Sequence, residues 1–507
     1  MSASTSTPTA SDDINEDLLD SADAQEEVGP GEDVEMQSEE ESEDGDEEEI
    51  TLVNNSIGHF DKHTDSIFSI AIHPKNPSLV ATGGGDDVAY VFDTSRAEPV
   101  SGILPVSYES DPKRAQPRES LEPIFKVTGH TDSVNALEFS LPDGRYLLSG
   151  GLDGQLRVYQ LSAALDPRSQ PTFAYHGSTK EVPEISWIQA CPSTNHPNVV
   201  ALGASDGSIW IYQLSSTDTP LEILQVYYLH QGASTAGAWS PSGSLLCTVA
   251  EDSSFYVWDP FSDAQALGAK PVGGSQALIG FSGQDGRFAD LNGLFSVAVA
   301  PSGTLAAVGG GNGMVHIISL PRLSTVSAAP RNPSKGGKAA KTNAPSSITS
   351  GGQVLKTLHI HSDSVESLAF SNDVSHLLAS ASTDGSIAIM DTGKDFAIKR
   401  HTENAHSGYA VVKVQFAASQ QTPHADRNMQ LTQSSAAIAS PASAWTLASC
   451  GLDGKLRTWN TQGSQRDFEG HRSGEGGGVL GFVRNEQKGR FTTAGDDGVA
   501  LVFLANP

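Results

Sequence analysis

The most constraining feature of this sequence is a short motif that recurs eight times, a tight polar turn centred on Asp or Asn followed by an apolar strand. One copy, residues 153–159, reads DGQLRVY. The eight turn residues are Asp86, Asp153, Asp206, Asp252, Asn312, Asp384, Asp453 and Asp497. Asp-Gly is a preferred pair for tight turns between strands, and alternating residues after such a turn suit a strand. The motif therefore predicts an all-β fold built from repeated units.

The spacing of the turns predicts a β-propeller. Asp206 and Asp252 lie 46 residues apart, and Asp453 and Asp497 lie 44 apart, which is the length of one four-stranded blade. Longer intervals correspond to a blade plus an inserted loop. Such loops, rich in small and polar residues, are expected at about 105–122, between blades one and two, at 324–352, and at 417–442, between the first two strands of blade seven. The expected fold is an eight-bladed propeller.

Ring closure is expected to involve the N-terminal part of the chain. The last motif ends its third strand at Phe503, so blade eight lacks an outer strand. An open ring would expose a sheet edge, which favours aggregation. Residues 50–61 contain a short apolar segment with no other place to pair, and we expect it to supply the missing strand. The predicted organisation is thus a disordered acidic tail, 1–49, and a propeller, 50–507.

The charge of the chain is negative and unevenly distributed. Residues 1–50 hold 20 Asp or Glu and no Lys or Arg; with 61 acids and 31 bases in total, residues 51–507 carry a net charge of −10. The tail has no aromatic residue, so it is expected to remain disordered. It is either a solvating segment or an arm that engages a basic partner. So acidic a protein is not expected to bind nucleic acid directly, since phosphate contacts require Lys and Arg.

No sequence pattern indicates catalysis, a metal site or a cofactor. The three cysteines, Cys191, Cys247 and Cys450, form no metal-binding spacing and are expected to be free thiols in a reducing compartment. The glycine runs at 83–85 and 309–311 are not followed by the Gly-Lys-Ser/Thr of a phosphate loop. Neither a secretory signal nor a membrane span is evident. We expect a non-enzymatic, monomeric protein of the cytoplasm, and the lysines of residues 335–341 leave nuclear entry open.

Most turns are preceded by a His followed by a small polar cluster and an apolar run. These histidines are His63, His130, His176, His230, His361, His406 and His471, and blade five lacks one. Gly-His, two strands, then Asp-Gly and a strand ending in an aromatic residue resembles the WD40 family over roughly residues 50–507, with one literal Trp-Asp pair at Trp258-Asp259. The resemblance implies that the His and the turn Asp form a structural hydrogen-bond network in each blade, because a buried Asp needs donors.

A narrower resemblance rests on the acidic tail and on blades one and three. Residues 81–92 (ATGGGDDVAYVF), 184–187 (EISW) and 203–210 (GASDGSIW) resemble the angio-associated migratory cell protein family. Fungal members of that family are dedicated chaperones of a large-subunit ribosomal protein, and this resemblance implies the same role here. The alternative is a general scaffold in signalling or traffic.

The loops at one end of the predicted blades carry acids and a few aromatic residues. The partner-binding residues expected there are Asp65, Phe68, Asp132, Glu181, Glu184, Glu251, Phe295, Asp363, Glu366 and Asp496. Carboxylates pair with Arg and Lys, and aromatic rings add cation–π contacts, so this set suits a basic peptide segment. The alternative is that these acids are ordinary solvated loop residues.

Overall fold

The computed structural model describes residues 54–97, 120–162, 171–216, 219–272, 276–323, 351–372, 376–417, 445–472 and 477–505. In this part of the chain, 32 strands form eight four-stranded antiparallel sheets. The inner strand of each sheet packs against the inner strands of the two neighbouring sheets, so the sheets form a closed ring. The predicted eight-bladed all-β propeller is confirmed. The expected acidic tail, 1–49, lies outside the described residues.

Each blade runs from an inner strand to an outer strand in chain order. Blades one to four consist of β2 (Ile67–Ile72), β3 (Leu79–Gly84), β4 (Ala89–Asp93) and β5 (Pro123–Val127); β6 (Val134–Phe139), β7 (Tyr146–Gly151), β8 (Leu156–Ser162) and β9 (Thr172–Thr179); β10 (Ile185–Ala190), β11 (Val199–Ala204), β12 (Ile209–Leu214) and β13 (Leu221–Tyr227); β14 (Ser234–Trp239), β15 (Leu246–Ala250), β16 (Phe255–Trp258) and β17 (Ala277–Phe281).

Blades five to eight repeat this order, and the last one takes its outer strand from the N-terminal part of the chain. They consist of β18 (Leu294–Val299), β19 (Leu305–Gly310), β20 (Met314–Ser319) and β21 (Val354–His359); β22 (Val365–Phe370), β23 (Leu377–Ser382), β24 (Ile387–Asp391) and β25 (Ala397–Thr402); β26 (Val411–Phe416), β27 (Leu447–Gly451), β28 (Lys455–Asn460) and β29 (Gly463–Glu469); β30 (Val479–Asn485), β31 (Arg490–Gly495), β32 (Ala500–Leu504) and β1 (Gly58–Phe60). A short helix, α1 (Asp263–Ala266), and 3₁₀ turns at Thr94–Arg96 and Thr392–Lys394 connect strands.

The ring closes through β1, which pairs antiparallel with β32 with Phe60 opposite Ala500. Phe60 is fully buried and stacks on Phe92 of blade one at 4.4 Å between ring centroids. The closing strand is shorter than the expected segment 50–61, whose first residues lie outside the described part. Because β1 covers the free edge of β32, it joins the two ends of the ring.

One predicted insertion lies elsewhere than expected. Residues 105–122 do not separate blades one and two, because they fall between β4 and β5, inside blade one. Residues 324–352 fall in the same way between β20 and β21. The interval 417–442 separates β26 from β27, the first two strands of blade seven, as predicted. Apart from their flanking residues, all three segments lie outside the described part of the chain.

The apolar core lies between neighbouring blades. Most second strands are buried along their whole length, as in β7 and β11, whereas outer strands such as β9 are half exposed. Between blades one and two, Val91 and Ala81 pack with Val134, Phe139 and Leu147. This burial holds adjacent sheets together and fixes the loops at each end of the blades.

Candidate peptide-binding face

One end of the blades collects two kinds of loop. In blade one, Ile67 at the start of the inner strand pairs with Gly84 at the end of the second strand, and Ala89 at the start of the third pairs with Val127 at the end of the fourth. The same pairing recurs in the other sheets. The loops that precede the inner strands and the Asp-centred turns therefore share one end of the ring, which we call the turn face.

Buried His–Asp pairs brace the turn face in several blades. In blade two, His130 and Asp153 are 6% and 7% exposed, and their Nδ1 and Oδ1 atoms lie 3.1 Å apart. The carboxylate also accepts from the backbone N–H of Thr131 and Gln155. Burial favours the neutral form of the ring and lowers the pKa of His130. The pKa of Asp153 is also lowered, because these hydrogen bonds outweigh its burial.

Glycine completes this arrangement. A side chain at Gly151 would lie 2.6 Å from Oδ1 of Asp153 and 2.7 Å from Nδ1 of His130, so only glycine leaves room for the pair. Gly154 adopts a φ of +74°, which the turn requires and most other residues avoid. In the Asp-Gly pair of the motif, the Gly thus allows the turn conformation and the Asp accepts hydrogen bonds from the surrounding donors.

The same bracing recurs with variations. His63, His406 and His471 contact Asp86, Asp453 and Asp497 at 2.8–3.0 Å. In blade four His230 contacts Ser254, and in blade six His361 contacts Ser386; each Ser stands two residues after the turn Asp. Burial lowers the pKa of both histidines to about 4. In blade five, Asn312 donates to the carbonyl of Asp290 instead. Whether the eight turn residues are structurally required stays a prediction.

The expected role of His176 is wrong. His176 lies on β9, and its Nε2 contacts the carbonyl oxygen of Ser215 at 2.6 Å. The position four residues before the inner strand, where His130 stands in blade two, is Glu181 in blade three. Asp206 is consequently exposed and accepts locally from the amide and hydroxyl of Ser208.

A β-bulge marks the second residue of every inner strand. The pairing with the second strand skips one residue there in all eight blades. The bulge residues are Phe68, Asn135, Ser186, Thr235, Phe295, Glu366, Val412 and Leu480. All of them are partly or largely exposed, although the residues before them are buried. Because bulges redirect side chains out of the regular pattern, they free one side chain per blade at the turn face.

The structure brings Asp65, Phe68 and Asp496 together where blade eight meets blade one. The Ser66 hydroxyl donates to the Asp496 carboxylate at 2.6 Å, and the Ser66 amide donates to Asp65 at 2.7 Å. Both Asp65 and Phe68 border Gly85, and Phe68 is 45% exposed. This group joins two carboxylates to an exposed aromatic ring.

Two further groups lie at blades four to five and at blade six. Glu251 and Phe295 both border Gly293, since the Glu251 carbonyl and the Phe295 ring each lie 3.1 Å from where a Cβ would stand. In blade six, Ser364 links two acids: its hydroxyl donates to Glu366 at 2.6 Å and its amide to Asp363 at 2.8 Å.

The remaining predicted acids stand apart from these groups. Asp132 stands two residues before the inner strand of blade two, as Asp65 does in blade one, and its carboxylate accepts from the Ser133 amide at 2.8 Å. Glu181 and Glu184 are exposed in the loop before β10, and Glu181 accepts from the Thr179 hydroxyl. These acids add negative charge to blades two and three.

None of the eight predicted acids forms an ion pair with Lys or Arg among the described residues. Acids elsewhere on the ring do so, such as Glu469, whose Oε1 lies 2.5 Å from Nζ of Lys455. Six of these eight carboxylates accept hydrogen bonds from local hydroxyl or amide donors, which leave their negative charge in place. Such a surface attracts and steers a basic ligand.

Sequence reasoning missed two exposed apolar residues on this face. Tyr409, 45% exposed, stands two residues before the inner strand of blade seven, where other blades carry Asp65 or Asp132. Leu152, 37% exposed, directly precedes a turn Asp, as Glu251 does. Alignment of the eight repeats on their turns would have found Leu152. Tyr409 would have required alignment on the inner strands, because it stands 44 residues before Asp453, whereas Asp65 stands 21 residues before Asp86.

The fold and this face define the class of the protein, a WD40 β-propeller that presents an acidic face with partly exposed aromatic residues. The family model for the WD domain, G-beta repeat, matches residues 54–93, 121–160, 221–259 and 352–391. Curated relatives include the Saccharomyces cerevisiae ribosome assembly protein SQT1, 27% identical and covering 90% of this chain and 88% of its own length, and the human angio-associated migratory cell protein, 23% identical over 88% and 79%.

A solved structure gives a closer match. The crystal structure of Chaetomium thermophilum Sqt1 bound to the N-terminus of the ribosomal protein L10 is 42% identical, with a TM-score of 0.72, and the alignment covers 89% of this chain and all of that one. The chain therefore belongs to the Sqt1 family of WD40-repeat proteins.

Proposed function

We propose that this protein is a dedicated chaperone that binds a basic segment of a large-subunit ribosomal protein on the turn face and delivers that protein for ribosome assembly. The observation that carries the proposal is the set of eight unpaired carboxylates on this face. The similarity to Sqt1 bound to the N-terminus of L10 supports the identity of the partner.

The physical task requires binding and release without covalent chemistry. Ribosomal proteins are rich in Lys and Arg, whose side chains pair with carboxylates and pack on aromatic rings. Each group on the turn face offers one or both of these contacts, so an extended basic segment can engage several groups in succession. Exposed charge pairs are weakened by salt and by competing polyanions, so ribosomal RNA would favour release.

We propose that the protein is not an enzyme. The His and Asp residues that resemble catalytic sets are used inside the blades, as His130 and Asp153 illustrate. The described residues contain no group of three or more His, Cys, Asp or Glu that could hold a metal, and no described helix has the length and apolarity to cross a membrane. A cytoplasmic location, with entry into the nucleus, fits a carrier of newly made ribosomal protein.

Affinity capture from cell extract tests the proposal. The wild-type chain should retain one dominant large-subunit ribosomal protein, and the double reversal Glu251→Lys with Glu366→Lys should lose it, because like charges across an interface are strongly unfavourable. A matched control, Glu222→Lys with Asp143→Lys, makes the same change in net charge away from the turn face and should capture normally. Recovery of signalling or coat proteins in place of a ribosomal protein would instead support a general scaffold.

A further inference from the structure

A groove extends from the turn face along the outer side of the ring, between blades two and three. Its wall on blade three is β13, where Ile223 pairs with Tyr212 and Val226 with Trp210. Because Tyr212 and Trp210 belong to the core between the two blades, Ile223 and Val226 are on the face of blade three that is turned towards blade two. Ile223 is nevertheless 47% exposed, since the outer strands lie beyond the packed core.

The facing wall, on β9 of blade two, carries small residues. Leu156 and Val158 belong to the same core, and the residues paired with them on β9 are Thr179 and Gly177. A Cβ at Gly177 would lie 2.8 Å from Cγ of Pro220, so the two walls touch there. Thr179 is nearer to the turn face, because β9 runs towards that face and ends at Thr179. The groove is therefore closed at Gly177 and opens towards the turn face.

Tyr228 stands at the open end of the groove, directly after β13. Its side chain is 65% exposed, the largest fraction among the exposed apolar side chains of the described residues. The Trp210 ring lies edge-on to it at 6.4 Å between centroids. Trp210 is 8% exposed, and its indole N–H donates to the Ser208 hydroxyl at 2.9 Å, so it gives Tyr228 a fixed support. The groove thus ends in an exposed aromatic ring that is available for contact with a ligand.

A carboxylate lies at the same end of the groove. The loop from β9 to β10 passes from the outer strand of blade two to the inner strand of blade three, and it carries Glu181, whose carboxylate accepts from the Thr179 hydroxyl at 3.0 Å. The pKa of Tyr212 is raised, mainly by burial and further by the Glu181 carboxylate and the Tyr228 phenol, so these three groups lie close together. Lys180, the adjacent cation, forms no ion pair with Glu181 in the described structure. The groove therefore joins an unpaired acid to an aromatic ring.

We propose that this groove, the Tyr228 groove, holds the part of the partner's basic segment that continues beyond the turn face. A Lys or Arg side chain of the segment lies over the Tyr228 ring and pairs with Glu181, and an apolar side chain of the segment packs on Ile223. Ile223 and Tyr228 are five residues apart on an extended strand, so the two side chains of an extended segment stand about five positions apart. Glu181 is one of the eight acids of the turn face, so the groove is continuous with the proposed interface and its assignment rests on the proposed function. The groove selects a partner segment that carries an apolar side chain, whereas the acids of the turn face select for positive charge.

Calorimetric titration of the full-length chain with a synthetic N-terminal segment of ribosomal protein L10 tests the groove. Tyr228→Ala should weaken binding about fivefold, since an exposed cation–π contact contributes about that factor, and Tyr228→Phe, which keeps the ring, should bind like wild type. Tyr175→Ala is the matched control: Tyr175 is 57% exposed on the neighbouring outer strand, but it pairs with Tyr159 on the face of blade two that is turned towards blade one. Wild-type affinity in Tyr228→Ala, or equal losses in Tyr228→Ala and Tyr175→Ala, would overturn the proposal.

Photo-crosslinking gives a second readout that does not depend on a change in affinity. A benzophenone amino acid in place of Tyr228 should crosslink to the L10 segment, whereas the same group in place of Tyr175 should not. Ile223→Thr keeps a branched strand residue and should weaken binding about threefold, because apolar contact is lost. Absence of the crosslink from position 228 in a chain that still binds the segment would reject the groove alone. A wild-type chain that does not bind the segment would reject the groove and the proposed chaperone function together.

Discussion

Replacement of a turn Asp should have very different costs in different blades. In blade two, Asp153→Ala removes the acceptor of the buried His130 ring and of the Thr131 and Gln155 amides. In blade three, Asp206→Ala removes an acceptor used only locally by Ser208. The His130 N–H cannot turn to water, because its side chain has no exposure to solvent. We expect a loss of about 2–3 kcal/mol for Asp153→Ala and about 1 kcal/mol for Asp206→Ala.

The assay is equilibrium urea unfolding of both variants, followed by tryptophan fluorescence. Asp153→Asn retains one carbonyl acceptor for His130 and should recover part of the loss. Partner binding should persist in all three variants wherever the ring is folded. Equal destabilisation by Asp153→Ala and Asp206→Ala would refute the argument that the buried His–Asp pair dominates the cost. Loss of partner binding at full stability would instead place Asp153 in the interface.

Two further predictions concern the ring as a whole. Removal of residues 1–53 should leave the melting temperature unchanged, whereas removal of residues 1–61 takes away β1 and should cost at least about 3–5 kcal/mol, from the lost burial of Phe60, and promote aggregation. Equal stability of the two truncations would contradict closure by β1. Acidification should also destabilise the ring. Burial lowers the pKa of His230 and His361 from 6.5 to about 4. Between these two pH values the histidines bind protons in the unfolded chain but not in the folded ring, so protons favour unfolding. The free energy of unfolding should fall from pH 6.5 to pH 4 by on the order of 3 kcal/mol for each His, and a pH-independent unfolding midpoint would contradict this.

The architecture was predictable because every blade needs the same turn. The Asp-Gly pair and the strand after it are visible without tertiary information, and their number and spacing indicate the ring. The placement of the insertions was harder, since outer strands carry a weak signal. β5, for example, is only partly buried, so residues 123–127 lack the alternation that marks a half-buried strand. The outer strand of blade one was therefore not recognised beyond the insertion.

The individual acids of the turn face could be predicted, but their grouping could not. Asp65 and Asp496 are 431 residues apart in sequence, and they meet only because β1 closes the ring beside blade one. The error on His176 has a simpler cause, since it stands nine residues before Ile185 rather than the four that separate His130 from Val134.

Calorimetric titration of the full-length chain with a synthetic N-terminal segment of ribosomal protein L10 tests the central claim most directly. If unpaired carboxylates of the turn face hold the segment, the dissociation constant should rise at least about tenfold between about 50 mM and about 500 mM NaCl, as exposed charge pairs are screened. Glu251→Lys with Glu366→Lys should abolish binding at low salt while the melting temperature stays near that of wild type. Salt-independent binding, or wild-type affinity in the folded double variant, would show that the partner does not bind through the acidic groups of the turn face.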